Sequence, residues 1–413
     1  MTFKKIPRKI LIALSTVGPG LFLIGYNIGT GSVTTMAKTG TDHGMGLFWA
    51  LLLSCMFTYI LMVAYGKVTL VTNRTILFNF KKELKWGKVL SLYIITALVL
   101  GELLALMGVM GIVGDLVQEG ISLAFNGSEI DRSWIISFFV IVLYALIWQG
   151  RYAFFEKILT VLVLIMGLAF LVVFIMVKPS LFSLLQGIVP NIPKTPGALG
   201  LIAAITGTTC SAAVFVIRST VVVEKGWTIK NLKDEKKDAF ISSVMMLFLS
   251  GVIMAVAAGT LYIAGLHIDD TTDMIGLFEP IGGKAAAFIL IIGIAGAGIS
   301  TIFPIVLIAP WLIADYRGSS RDIRSKNTRI LILVTLLFAF GTLFMEQRPP
   351  ALMIFSQAFQ ACILPAVIIP IFLLINKKSL MREHKAGKGQ NLAIGVVLVF
   401  SLVTTWFAIV EFL

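Results

Sequence analysis

Long apolar segments alternate with short polar connections along the whole chain, and this pattern constrains the fold more than any other feature. A helix needs about 20 mostly apolar residues to cross a bilayer, and about eleven segments approach that length. They are Ile10–Met36, Met45–Tyr65, Val89–Val113, Trp134–Trp148, Ile158–Val177, Leu199–Val223, Phe240–Ala264, Ala285–Ala314, Ile330–Met345, Ala351–Ile375 and Leu392–Leu413. Only 13% of the residues are charged, against about 25% in soluble domains. We therefore expect an all-α, polytopic membrane protein with no soluble domain between its spans.

The net charge of +13 lies mostly in alternate connections between these segments. Lys and Arg precede span one and follow spans two, six, eight and ten, whereas the connections after spans three and seven carry Asp and Glu. Because basic connections stay in the cytoplasm, the N-terminus is expected inside and, after an odd number of spans, the C-terminus outside. The expected location is a bacterial cytoplasmic membrane. The basic residues then face anionic lipid, and their distribution gives no nucleic-acid-binding patch.

The sequence contains no arrangement of residues typical of an enzyme or of a bound cofactor. Its three cysteines, Cys55, Cys210 and Cys362, lie in apolar segments at unrelated spacings, and its three histidines are scattered. No CxxC, HExxH, GxSxG or Walker motif is present, so a disulfide framework, a zinc site and a hydrolase centre are all unsupported. We expect a protein that is not an enzyme and needs no cofactor.

Two spans are interrupted by clusters of Gly, Ser and Thr. Tyr26–Thr35 reads YNIGTGSVTT, and Ala203–Phe215 reads AAITGTTCSAAVF. These residues weaken a helix and offer local hydrogen bonds, and unwound backbone is tolerated in a membrane only where it is buried or lines a cavity. Small residues also let helices pack closely, which is the plainer explanation of either cluster alone. The matching pair, in spans one and six, favours a binding site at the membrane midplane.

The five-span offset between the two clusters predicts an inverted repeat of five plus five helices within a single transmembrane domain, residues 1–413. Repeat one is expected to cover about residues 10–178, repeat two about residues 195–376, and an extra helix about residues 390–413.

Several stretches carry a resemblance to a known family. They are Gly18-Pro19-Gly20, GRYAFFEKILTVLVLIMGLAF from Gly150, GIVPNIPKTPGAL from Gly187, LFEPIGGKAAAFILIIGIAGAG from Leu277 and SQAFQACILPAVIIPI from Ser356. In this order they resemble the Nramp divalent-metal transporters, and the likeness covers nearly the whole chain. The resemblance implies a LeuT-type fold with broken helices one and six and transport by alternating access.

The family's metal-binding residues are where the sequence departs from that pattern. The metal-binding aspartate of helix one aligns with Gly29, and the asparagine of the same motif with Ser32. The metal-binding methionine of helix six aligns with Ser211 and the nearby histidine with Ala213, whereas the glutamine of helix ten is kept as Gln357. By this alignment the central site has lost its carboxylate and its thioether.

Neutral oxygens remain as candidate donors, from side chains and from free carbonyls near residues 27, 29 and 209. The candidate substrate-binding residues are Asn27, Gly29, Thr30, Ser32, Thr208, Thr209, Ser211 and Gln357, of which Ser32, Ser211 and Gln357 are the expected weak oxygen ligands. Removing water from a divalent ion without a counter-charge is costly. We therefore expect an uncharged site and low-affinity or uncoupled transport of a divalent cation.

Ionisable residues within the spans are few. The family's acidic proton-relay positions in helix three align with Val109 and Ile112, so transport is not expected to be proton-driven. Arg218 is expected to pair with Glu102 or Glu224, or to form an inner gate.

Two other functions stay open at this point. Hydroxyl groups beside a helix N-terminus would also suit the carboxylate of a small polar or zwitterionic solute. A third alternative is a sensor or scaffold that does not transport. A large cavity would favour an organic solute, and a narrow cavity lined by oxygens would favour an ion. The oligomeric state is not determined by the sequence, and a monomer is compatible with it.

Overall fold

The computed structural model describes residues 29–125, 130–149, 152–319, 321–345 and 348–412, and these ranges contain helices but no strand. The α-helices are α1 (Thr30–His43), α2 (Phe48–Thr72), α3 (Ile76–Glu83), α4 (Gly87–Ala124), α5 (Arg132–Gln149), α6 (Tyr152–Val177), α7 (Leu181–Gln186), α8 (Ala198–Thr209), α9 (Ala212–Glu224), α10 (Leu232–Gly259), α11 (Gly283–Arg317), α12 (Lys326–Leu337), α13 (Pro349–Asn376), α14 (Lys378–Met381) and α15 (Lys388–Phe412). Short 3-10 helices cover Ile229–Asn231, Thr271–Ile281, Phe338–Leu343 and Arg382–His384.

Nine helical segments in the described ranges are long and apolar enough to cross a membrane, counting α8 and α9 together as one. Helix α6 contains the shorter apolar helix Val163–Val177 within predicted span five. Helix α1 begins inside predicted span one, whose earlier residues lie outside the described ones. With these two, the described helices agree with the expected number of about eleven spans. The prediction of an all-α polytopic protein is confirmed.

The packing of the helices follows the expected repeat. Helix α1 of span one packs on α10 of span seven, and the α8–α9 pair of span six packs on α2 of span two. The two contacts are equivalent, because the repeat relates span one to span six and span two to span seven. In the same way α4 packs on α13, and α11 packs on α6. These paired contacts agree with an arrangement of five plus five helices, and the boundaries of the two repeats stay a prediction.

Span six is broken where the sequence predicts it. Helix α8 ends at Thr209, Cys210 has φ −102° and ψ 50°, and Ser211 is extended at φ −68° and ψ 129° before α9 begins. Helix α1 likewise begins after an extended Gly29, at φ −93° and ψ −171°. The residues before it, including Asn27 and Gly18-Pro19-Gly20, lie outside the described residues.

A glycine brings the broken helix close to α13. The Cα of Gly207 lies against the backbone of α13, so that a Cβ at this position would overlap the carbonyl oxygen of Gln357 and lie 3.0 Å from the amide nitrogen of Ala361. Small residues allow this kind of close helix contact in membranes. The approach places Gln357 beside the break in span six.

Candidate functional site

A narrow cavity lies at the break in span six. Its walls include Ser32 from α1, Glu102 from α4, Thr208 and Ser211 beside the break, and Gln357 from α13. Its volume is about 30 Å³, which is room for about one or two water molecules. The cavity therefore suits a small ion rather than a bulky molecule.

Most of the predicted binding residues lie on or near this cavity. Gly29, Ser32, Thr208, Ser211 and Gln357 form part of its wall. Thr30 and Thr209 are fully buried next to wall residues but do not line the cavity. Asn27 lies outside the described residues, so its predicted role stays a prediction.

One of the carbonyls that the sequence predicts to be free is hydrogen-bonded. The Gly29 carbonyl accepts from the Val33 amide at 3.1 Å, because α1 continues as a regular helix, and this expectation is wrong. The Thr209 carbonyl lies 3.0 Å from Thr58 Oγ1. The single proton of that hydroxyl also has the Ser54 carbonyl at 2.7 Å, so the expectation for Thr209 stays a prediction.

A chain of hydrogen bonds joins the break to α4. Ser211 Oγ donates to Gln360 Oε1 at 2.9 Å, and Gln360 Nε2 donates to Glu102 Oε1 at 3.2 Å. On the other side of the break, Thr208 Oγ1 donates to Ser32 Oγ at 3.3 Å. These contacts fix the orientation of the Gln360 amide and hold its oxygen toward Ser211 and its nitrogen toward the carboxylate.

The expectation that the site holds no carboxyl group is wrong, because Glu102 lines the cavity with only 3% of its surface exposed. Glycines on the same face of α4 allow the approach. A Cβ at Gly101 would lie 3.3 Å from Gln360 Cγ, and one at Gly108 would lie 3.1 Å from Met353 Sδ. Larger residues at these positions would hold α4 away from α13. The carboxylate thus comes from α4, whereas the family pattern leads one to look for it in span one.

Six wall residues were missed by the sequence reasoning, and three of them, Gln360, Met353 and Thr301, carry polar or sulfur side chains; the other three are Gly31, Ala105 and Ile305. Gln360 and Met353 lie one helical turn after and before Gln357 on α13, and Thr301 lies on α11 opposite Gly29. The spacing of three and four residues from Gln357 places both α13 residues on its face, and this signal could have found them. No comparable pattern points to Thr301, because it comes from another helix.

The sequence predicts that Arg218 pairs with Glu102 or Glu224, and this is wrong. Arg218 instead pairs with two carboxylates of α10. Its Nε lies 2.8 Å from Glu235 Oε1, and its Nη2 lies 2.9 Å from Asp238 Oδ2. Glu224 instead lies 3.6 Å from Arg321. The correction has a simple cause: Arg218 lies two turns beyond the break on the face of α9 toward α10, which carries both acids. The Arg218 cluster ties α9 to α10, and its role as a gate stays a prediction.

Ion pairs also join the other end of α1 to the connection after α10. Lys38 Nζ lies 3.1 Å from Asp42 Oδ2 and 3.4 Å from Asp269 Oδ1. Asp115 of α4 binds Arg132 Nη1 at 2.8 Å and accepts from Thr271 Oγ1 at 2.9 Å. These contacts connect α1 and α4 to the 3-10 helix Thr271–Ile281 and its preceding connection at the predicted outer face.

Comparison with known proteins decides the family. Residues 20–411 match the family model described as natural resistance-associated macrophage protein-like, Nramp. The chain belongs to the Nramp family. Among curated Nramp-like relatives, the divalent metal cation transporter MntH of Pectobacterium carotovorum subsp. carotovorum (strain PC1) is 24% identical over 402 residues, which cover 95% of this chain and 93% of that protein.

Solved structures share the fold of this Nramp protein. A crystal structure of the Eremococcus coleocola manganese transporter, in complex with an aromatic bis-isothiourea substituted compound, matches with a TM-score of 0.71 at 15% identity, covering 100% of this chain and 88% of that chain. Mhp1, a nucleobase-cation-symport-1 family transporter in a closed conformation with bromovinylhydantoin bound, matches with a TM-score of 0.62 at 14% identity, covering 96% of this chain and 90% of that chain. These likenesses confirm the predicted LeuT-type fold.

Proposed function

We propose that this protein is a secondary transporter that moves a divalent metal cation across the cytoplasmic membrane through the cavity at the break in span six. Membership of the Nramp family and the likeness to MntH support the substrate class. The observation that carries the proposal is the buried carboxylate of Glu102 in a narrow wall of oxygen donors.

The charge of Glu102 matters more than the neutral donors. At an effective dielectric constant of about 20, two unit charges about 4 Å apart attract by roughly 4 kcal/mol. Hydroxyl and amide oxygens of Ser32, Ser211 and Gln357 complete a coordination shell but offset no net charge. One carboxylate neutralises half of a divalent charge, so binding is expected to be weak.

The size of the cavity favours an ion over an organic solute. Pockets for drug-sized organic ligands have volumes of about 300–1,000 Å³, whereas this cavity has about 30 Å³. An ion held here exchanges most of its water shell for protein oxygens. Met353 also lines the cavity, and its thioether would favour a softer transition metal over Mg²⁺.

Transport is proposed to follow the gradient of the ion without a coupled proton. Val109 and Ile112 stand where the family resemblance places acidic relay residues, and both are buried. A proton pathway through a membrane needs ionisable side chains. The basic connections support a cytoplasmic N-terminus and an outward C-terminus.

The test is uptake of Mn²⁺, Mg²⁺ and Ca²⁺ into proteoliposomes that contain a metal-sensitive dye and a pH-sensitive dye. Glu102→Gln is compared with Glu119→Gln, which removes the same charge from the same helix but does not line the cavity. We expect saturable uptake without interior acidification, a half-saturation concentration raised about tenfold or more by Glu102→Gln, and wild-type uptake for Glu119→Gln.

Equal effects of Glu102→Gln and Glu119→Gln on uptake would show that Glu102 is not part of the binding site. Interior acidification that depends on the metal would show that protons are transported with it. Absence of metal flux from folded protein would favour the polar organic solute, to be sought by a metabolite binding screen. Absence of both would favour the sensor or scaffold.

A further inference from the structure

A second cavity, of about 290 Å³, lies between the end of α11, the start of α12 and the connection that joins them. It shares no wall residue with the central cavity. Trp311, Ile323 and Leu331 give it an apolar side, and Arg317 and Arg321 give it a basic side. The connection belongs to the basic set predicted to lie in the cytoplasm, so the cavity lies at the inner membrane interface.

Arg321 is the central cation of this cavity. Its side chain is 13% exposed, its guanidinium carbon lies 4.7 Å from the centre of the Trp311 ring, and its Nη1 lies 3.6 Å from Glu224 Oε1. Burial lowers the pKa of Arg321, while Asp315 and Glu224 oppose this effect, and an arginine stays charged at neutral pH. Arg321 also lines the cavity. Its guanidinium is therefore a fixed positive charge at the cavity wall.

The other groups around the cavity favour an anion. Arg317 adds a second positive charge, and Asn327 and Thr328 from the first turn of α12 place the positive end of a 12-residue helix at the wall. Asp322 is the opposing charge on the wall, and its Oδ1 accepts from the Arg324 amide at 2.9 Å. The side chains that line the cavity thus carry two positive charges against one negative charge. Glu224 and Asp315 lie next to Arg321 outside this lining and offset part of its positive charge.

We propose that this cavity binds the phosphate of an anionic phospholipid, with Arg321 and Arg317 on the phosphate and the glycerol and upper acyl chain along Trp311 and Leu331. Basic pockets between helices on the cytoplasmic side are suited to anionic headgroups. Free phosphate shares the chemistry of the charged end but makes no use of the apolar side. The combination of both sides at the interface favours the lipid.

The variants for the test separate a built site from general surface charge. Arg321→Gln removes the central cation but also its contact with Glu224, so Arg317→Gln serves as a second variant that leaves this ion pair intact. Arg324→Gln is the matched control, because Arg324 is an exposed arginine of the same connection that does not line the cavity. Circular dichroism and size-exclusion chromatography check that each variant is folded.

The measurement is native mass spectrometry of the full chain taken from nanodiscs of phosphatidylcholine with increasing phosphatidylglycerol. We expect one retained phosphatidylglycerol in wild type and in Arg324→Gln, and roughly tenfold weaker retention in Arg321→Gln and Arg317→Gln, since each of these loses a charge-assisted contact to the phosphate. Equal retention in all four proteins, or an equal loss in Arg324→Gln, would overturn the proposal. Displacement of the lipid by millimolar inorganic phosphate would overturn the lipid as the source of the anion.

Discussion

Thr301 of α11 occupies the space into which a side chain at Gly29 would extend. A Cβ at position 29 would overlap Thr301 Oγ1 and lie 2.9 Å from Thr301 Cγ2. Thr301 Oγ1 donates to the Ala297 carbonyl at 2.8 Å, which holds its rotamer. The backbone of Gly29 is extended, a conformation that any residue adopts. The glycine is therefore required by the neighbouring threonine and not by backbone geometry.

This contact predicts that the family aspartate cannot be restored at position 29 by one substitution. Gly29→Asp alone should destabilise the protein by about 1–3 kcal/mol, because overpacking a close contact costs this much. Gly29→Asp with Thr301→Ala should recover most of that stability and bind Mn²⁺ more tightly than wild type, since a second carboxylate then faces the cavity. Thermal unfolding in detergent and calorimetry with Mn²⁺ measure the two effects.

Thr301→Ala alone is the control for the lost threonine, and it should leave Mn²⁺ binding near the wild-type level. A stable Gly29→Asp protein with tight Mn²⁺ binding and an intact Thr301 would contradict the steric argument.

The close approach of α8 and α13 gives a second prediction. Gly207→Ala should lower stability by about 1–3 kcal/mol, because its methyl group would meet the backbone carbonyl of Gln357, which cannot rotate away as a side chain can. Gly167→Ala on α6 is the matched control, since a Cβ there meets no atom within 4 Å and alanine favours a helix. The unfolding temperature of Gly207→Ala should fall below that of wild type, whereas that of Gly167→Ala should stay the same or rise. Equal shifts would show that α8 and α13 can move apart without cost.

The buried Arg218 cluster gives a third prediction. Arg218 and Glu235 are fully buried, and Asp238 is 3% exposed. Arg218→Met should destabilise the protein by about 3–5 kcal/mol, because it leaves two buried carboxylates without their cation. The triple variant Arg218→Met, Glu235→Gln, Asp238→Asn should recover much of the loss, since it removes the charges together.

Thermal unfolding of the single and triple variants separates the contribution of charge from that of packing. If both lose the same stability, the size of the arginine side chain and not its charge holds α9 against α10.

The long apolar segments of the sequence were enough to predict the helices, because each span must satisfy its own backbone hydrogen bonds in lipid and must have the length of the bilayer. The break in span six was also predictable, since Gly, Thr and Ser next to Cys210 weaken the helix locally. In the same way, Ser32, Thr208, Ser211 and Gln357 could be expected near the cavity, because each lies at or beside a break or on a motif that matches the family.

The tertiary structure alone decided which charges meet which partners. Glu102 faces the cavity and Arg218 faces α10, and the sequence does not show this, because each position depends on how closely two helices approach. Gly101 and Gly108 allow α4 to approach α13 closely, which brings Glu102 to the cavity. The acidic residues of α10 bind Arg218 of α9. Sequence by itself determined the all-helical architecture, the break in span six and most of the neutral donors, which are local properties. The charge of the site and the crowding of Gly29 by Thr301 arise from contacts between distant helices, and only packing determines those.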